Sequence, residues 1–167
     1  LIQYEIIYQN MQMMSGCGKM ICCSWQAWKQ HRHYKKWLKH YQIPQHIKVI
    51  EKLFEDHSGH VVSTQARLHQ PNLALTYGEI ELESFLALMS MTNPSPEDSF
   101  YDLGCGLGKT VFACHKVFNM HKCYGIEYLS ELVDIAQSKQ LQLCIPHERI
   151  VFTCGNILDC TWHADSI

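Results

Sequence analysis

The residues best suited to chemistry lie in one run, Tyr101-Asp102-Leu103-Gly104-Cys105-Gly106-Leu107-Gly108-Lys109-Thr110, where three alternate glycines follow an acid. Glycine lets a backbone turn sharply and lets a ligand approach where a Cβ would collide with it. A helix starting there leaves its first N–H groups facing the ligand. Spacing then separates the nucleotide-binding chemistries. A dinucleotide fingerprint, G-x-G-x-x-G, needs glycine at position 109, which is Lys109. A phosphate loop, G-x-x-x-x-G-K-[ST], finds its end in Gly108-Lys109-Thr110, but its first glycine falls on Leu103. That one-residue deletion spoils the curl of N–H groups around a phosphate. A carboxylate ahead of the glycines also repels an anion, so the run suits a ligand carrying positive charge.

A second acid follows in Tyr124-Gly125-Ile126-Glu127, a strand-like stretch whose end lies about 20 residues beyond the glycines. A carboxylate there can accept both hydroxyls of a ribose. S-adenosylmethionine, with a sulfonium and an ammonium beside its carboxylate, has the required charge, and the glycine run resembles the first signature of class I methyltransferases. The resemblance implies that Asp102 accepts a hydrogen bond from the cofactor's amino group, directly or through water. It also implies that Gly104, Gly106 and Gly108 make room for the methionyl part and the ribose, and that Glu127 holds the ribose. In Gly155-Asn156-Ile157-Leu158-Asp159 the family usually places an Asp on the adenine amino group. Here Asn156 holds the matching position, and either its amide oxygen or Asp159 takes that role.

Upstream, Leu75-Thr76-Tyr77-Gly78-Glu79-Ile80 is followed by a helical pattern and then by the glycine turn. This order is similar to that of the Dot1-type methyltransferases, whose T-Y-G-E loop precedes a helix and a D-L-G-S-G-x-G turn. The match runs from about Leu75 to Asp159, with Cys105 and Asn156 departing from the family's usual Ser and Asp. It implies that Tyr77 and Glu79 contact the methionyl end, that Gly78 lets the loop fold over it, and that the acceptor is a lysine of a protein. Read alone, Glu79 is an acid favoured near a helix N-terminus by the macrodipole. A nucleic-acid or small-molecule methyltransferase and a non-catalytic cofactor- or partner-binding fragment are the competing functions. No catalytic residue is assigned. Methyl transfer to lysine rests on positioning and on a neutral amine, and in class I enzymes the residues that build its channel follow strand four.

Alternating elements must position these groups. The pattern predicts strands at Ser99 to Leu103, Lys122 to Glu127 and Ile150 to Cys154, with helices at Lys109 to Phe118 and Ser130 to Leu143 between them. This βαβαβ order implies parallel strands with right-handed crossovers, the first half of a doubly wound, Rossmann-like α/β sheet. Ahead of it, Leu82, Phe85, Leu86 and Met89 form one face of a helix from about Glu79 to Met91, which Asn93-Pro94-Ser95-Pro96 ends. Ala164 to Ile167 reads as the start of strand four. In a sheet of order 3-2-1-4-5, stopping there would leave strand one with an unpaired edge.

Residues 1–70 are expected to form a helical region and residues 71–167 the incomplete cofactor-binding domain, with a loop at Pro71 and Asn72 between them. From Trp25 to Tyr41, aromatic positions alternate with Lys29, Arg32, Lys35, Lys36 and Lys39, a basic amphipathic helix that Pro44 ends. It packs its tryptophans on a core, or docks on phosphates with Trp28 or Trp37 stacking on bases. Ile47, Ile50, Leu53 and Phe54 give another short helix, stopping near Ser58-Gly59. Composition sets the remaining bounds. In 167 residues, 47% hydrophobic and 18% charged, there is material for one core, and a net charge of -2 gives no overall pull toward nucleic acid or anionic membrane. Nine cysteines, an odd number without C-x-x-C spacing, suggest free thiols in a reducing compartment and, with His31, His33 and His40, make no zinc pattern. With no secretory leader pattern and no apolar run long enough to cross a bilayer, the expectation is a cytoplasmic protein off the membrane.

Overall fold

A computed structural model describes residues 25–69 and 76–160. The expected fourth strand at 164–167, the loop at Pro71 and Asn72, and Cys17, Cys22 and Cys23 lie outside these residues. The strands form where the alternation predicted them: β1 (Ser99–Leu103), β2 (Lys122–Glu127) and β3 (Ile150–Cys154). They make a parallel sheet in the order β1-β2-β3, with Tyr101 opposite Tyr124 and Tyr124 opposite Val151. Helices α5 (Lys109–Phe118) and α6 (Ser130–Gln142) are the crossovers. The result is the N-terminal half of a Rossmann-like sheet, and β1 has no partner on its outer edge among the described residues.

Among the described residues, four helices precede the sheet: α1 (Trp25–His40), α2 (Ile43–Leu53), α3 (Gly59–His69) and α4 (Leu82–Met91). Pro44 divides α1 from α2 by occupying the first turn of α2, where its missing N–H is not needed, while Gln42 takes a left-handed conformation to make the bend. Helix α3 falls in the region 1–70 expected to be helical but is not marked out as a separate helix by the sequence, because Gly59 and the β-branched Val61, Val62 and Thr64 are poor local helix formers. Packing supplies what propensity lacks, since Val62 and Ala66 lie against the core and Ser63 is buried. One core links all the layers. Phe112 of α5 is fully buried between Phe54, at 5.8 Å between ring centres, and Phe152 of β3, at 5.5 Å. Ile43 and Ile50 from α2 and Leu132 and Val133 from α6 close around them.

Helix α4 begins three residues later than its pattern suggested. Glu81, not Glu79, caps it, its two carboxylate oxygens accepting the N–H groups of Glu83 and Ser84 at 2.9 and 2.7 Å. Residues 76–81 therefore lie outside the helix, without regular secondary structure, and Glu79 is left to do something else.

Candidate functional site

The site is built at the C-terminal ends of β1 and β2, where Gly104, Gly106 and Gly108 all adopt positive φ, at +83°, +55° and +78°. Two of them meet neighbours at once: a Cβ on Gly108 would lie 2.5 Å from the Phe152 ring, and one on Gly106 would lie 2.6 Å from the Tyr77 ring. Gly104 faces open space, with nothing within 4 Å of where its Cβ would be. The loop is pinned to the sheet by the N–H groups of Gly104 and Cys105, which both donate to the Ile126 carbonyl at 2.8 and 3.0 Å. The glycine conformations thus serve two ends. Gly108 admits the core beneath the loop, and Gly104 keeps a space open above it.

Two carboxylates flank that space. Asp102, at the end of β1, is largely screened from solvent and accepts a hydrogen bond from the Thr110 hydroxyl at the start of α5. Burial raises its pKa above the ordinary carboxylate value; Thr110 opposes the rise and the negative charge of Glu127 adds to it. Glu127, at the end of β2, accepts the Gly106 N–H at 2.9 Å on one oxygen and the Tyr128 and Leu129 N–H groups at 2.8 and 3.0 Å on the other. An ionised carboxylate offers about four lone-pair positions, so one remains. Accepting two ribose hydroxyls at once would require Glu127 to release one loop N–H. The site as a whole presents fixed negative charge in a partly buried space, which is the electrostatic signature of a cationic ligand.

A strap crosses the loop. Tyr77 places its ring between Gly106 and Gly59, at the start of α3, where a Cβ would overlap the ring, and His60 meets it edge-on at 5.0 Å between centres. The Tyr77 hydroxyl donates to Glu79, whose two carboxylate oxygens both lie 2.8 Å from the Lys109 ammonium. Burial pushes the Glu79 pKa up, but the hydrogen bonds from Lys109 and Tyr77, with the charges of Lys109 and His60, outweigh it and hold the carboxyl below its usual value. The Tyr77 phenol is pushed well above its ordinary value, first by burial and then by Glu79.

The structure thus brings Tyr77, Glu79, Asp102, Glu127 and the three glycines around one loop. Asn156 lies on the exposed turn after β3, next to Gly155, whose N–H donates to the Glu127 carbonyl at 2.9 Å; its side-chain oxygen accepts the Leu158 N–H at 3.1 Å. One lone pair on that oxygen stays open, and Asp159 is likewise exposed on the same turn. Sequence reasoning missed Gly59 and His60 and gave Lys109 and Thr110 only a part in a failed phosphate motif. A glycine directly before the apolar pattern of α3 and a Lys-Thr pair in the first turn after the loop were the available signals.

Comparison with known proteins decides the family. The model of the family described as histone methylation protein DOT1 matches residues 59–146, just over half of the chain, a span holding the strap, the glycine loop and Glu127. The chain belongs to the DOT1 family. A curated relative from Debaryomyces hansenii, a histone-lysine N-methyltransferase specific for lysine 79 of histone H3, is 36% identical over 93 residues. That match covers 50% of this chain and only 8% of the relative. Among solved structures, a geranyl diphosphate methyltransferase in complex with its substrate and sinefungin is 22% identical, with a TM-score of 0.44 over 48% of this chain and 30% of that one. An S-adenosylmethionine-dependent methyltransferase from Clostridium acetobutylicum is 15% identical, with a TM-score of 0.40 over 50% of this chain and 33% of that one.

Proposed function

We propose that this chain binds S-adenosylmethionine and provides the cofactor-binding half of a methyltransferase directed at lysine in a protein. The observation that carries the reading is the pair of carboxylates, Asp102 and Glu127, held on either side of a glycine loop whose first glycine faces open space. The residues fit the cofactor in charge. Asp102 would take the ammonium, Glu127 a ribose hydroxyl, and the Tyr77-Gly78-Glu79 strap would cover the methionyl end. When bound, the cofactor supplies an electrophilic methyl group on a sulfonium. The chain's part would be to hold it: the loop and α5 would fix its position, Tyr77 would shield one side from water, and Asn156 or Asp159 would accept from the adenine amino group.

The acceptor reading rests on family membership and on the Debaryomyces relative, which is named for a histone lysine. Nothing comparable supports a small-molecule or nucleic-acid acceptor. Among the described residues no helix is long and apolar enough to cross a membrane. Six free cysteines among them suit a reducing compartment, a condition that the cytoplasm meets and that a chromatin-bound protein also meets. The test is transfer of labelled methyl from S-adenosylmethionine to histone octamers, with free DNA as the competing acceptor. Label on a histone lysine, lost in Asp102→Ala, is the expected result; label on DNA, or turnover unchanged by Asp102→Ala, would overturn the proposal.

A further inference from the structure

Thr110 closes the failed phosphate motif Gly108-Lys109-Thr110, where a true phosphate loop would turn the hydroxyl to a metal ion. Here it stands half-buried in the first turn of α5, and its hydroxyl donates to Asp102, eight positions earlier at the end of β1. A threonine in a helix ordinarily turns its hydroxyl back to a carbonyl three or four residues before it. Thr110 ties the helix to the strand instead. Threonine is also a poorer helix former than alanine, so α5 gains nothing in propensity from it. Its branched Cβ restricts χ1, which limits where the hydroxyl can swing.

Asp102 depends on that donor. Burial and the negative charge of Glu127 both favour the neutral acid, and among the described residues Thr110 is the one group that donates to the carboxylate and opposes them. Glu127, by contrast, accepts three N–H groups. A neutral Asp102 would offer an ammonium ion no charge, and an unheld carboxyl group could rotate freely, its terminal torsion being broad. With one oxygen held by Thr110, the other is left to accept. We propose that Thr110 is a positioning residue of this site: its hydroxyl keeps the Asp102 carboxylate charged and fixed in orientation for the ammonium of the ligand. The inference rests on the proposed cofactor site and adds to it the residue that fits Asp102 to bind a cation.

The experiment is calorimetric titration of the full chain with the demethylated product of S-adenosylmethionine, from about pH 5.5 to about pH 8.5. Thr110→Val keeps the shape and removes the donor, whereas Thr110→Ser keeps the donor. Loss of the donor moves the Asp102 carboxyl further above its ordinary value, so the acid limb of binding should move to higher pH. A hydrogen bond to a charged group is worth about tenfold or more, so Thr110→Val should bind about tenfold more weakly than the parent at the acid end. The gap should close as pH rises, because base restores the charge without the hydroxyl. The ratio of variant to parent at each pH cancels the ligand's own titration. Thr110→Ser should follow the parent, and NMR titration of the Asp102 carboxyl without ligand should show the upward move in Thr110→Val and not in Thr110→Ser. A Thr110→Val protein weakened by the same factor at every pH, an Asp102 carboxyl that titrates as in the parent, or a Thr110→Ser protein as weak as Thr110→Val would each overturn the proposal. A folded parent that does not bind the product would overturn the cofactor site itself, and this inference with it. Should Thr110→Val fail to fold, Thr110→Ala carries the same test.

Discussion

Replacing each loop glycine by alanine in turn separates what the loop does for the fold from what it does for a ligand. Each substitution forces an L-residue to positive φ, at a cost of about 1–2 kcal/mol. For Gly104→Ala that is the whole effect on the unliganded protein, because nothing lies within 4 Å of the new Cβ. Gly106→Ala adds displacement of the Tyr77 ring and loss of its bond to Glu79, about 0.5–1.5 kcal/mol more. Gly108→Ala drives a methyl into Phe152, which is 4% exposed, and brings the same methyl to 3.5 Å from the Ala136 Cβ. That ring has nowhere to go, so overpacking of about 1–3 kcal/mol adds to the strain. Urea unfolding at constant slope should rank the losses Gly104, then Gly106, then Gly108. Cofactor titration should rank differently, the least destabilised variant, Gly104→Ala, losing at least about tenfold in affinity because its methyl fills the ligand's space. A Gly104→Ala protein that loses stability as expected yet binds like the parent would refute the assignment of that space. A Gly108→Ala protein more stable than Gly104→Ala would refute the packing argument.

Asp102→Asn should stabilise the unliganded protein at neutral pH while abolishing cofactor binding. Since the folded pKa of Asp102 is raised, its contribution to stability is complete below the unfolded value and is lost as pH climbs through the folded one. Thermal unfolding of the parent should therefore fall across that window, and this component of the fall should vanish in the variant. Glu127→Gln turns an amide N–H₂ toward loop N–H groups that now meet a carboxylate, and should lower stability by about 1–3 kcal/mol in urea unfolding. Lys109→Met should change stability by less than about 1 kcal/mol, the pair with Glu79 being partly exposed, but should raise the Glu79 pKa, measurable by NMR titration of that carboxyl.

The sheet and its crossovers were legible because period-two and helical patterns alternate cleanly between Ser99 and Cys154, and each strand ends where its pattern ends. The glycine loop was legible for the same local reason: three glycines at fixed spacing leave few backbone paths. Helix α3 was not, since its residues favour helix only in contact with the core. The start of α4 was misplaced because two acids, Glu79 and Glu81, compete for one cap, and Lys109, 30 positions away, draws Glu79 off the helix. The seating of Tyr77 between Gly59 and Gly106 was invisible for a similar reason: it joins three segments that no local pattern connects. Glu127 was found as a site residue, but its three N–H donors, which limit what else it can accept, appear only in the fold.

The most direct test of the central claim is calorimetric titration of the chain with S-adenosylmethionine and with its demethylated product, beside Asp102→Ala and Glu127→Ala. Micromolar binding of both ligands by the parent, lost in both variants while they remain folded, is the result expected of a cofactor site built on these two carboxylates. A folded parent that binds neither ligand, or variants that bind as the parent does, would contradict it.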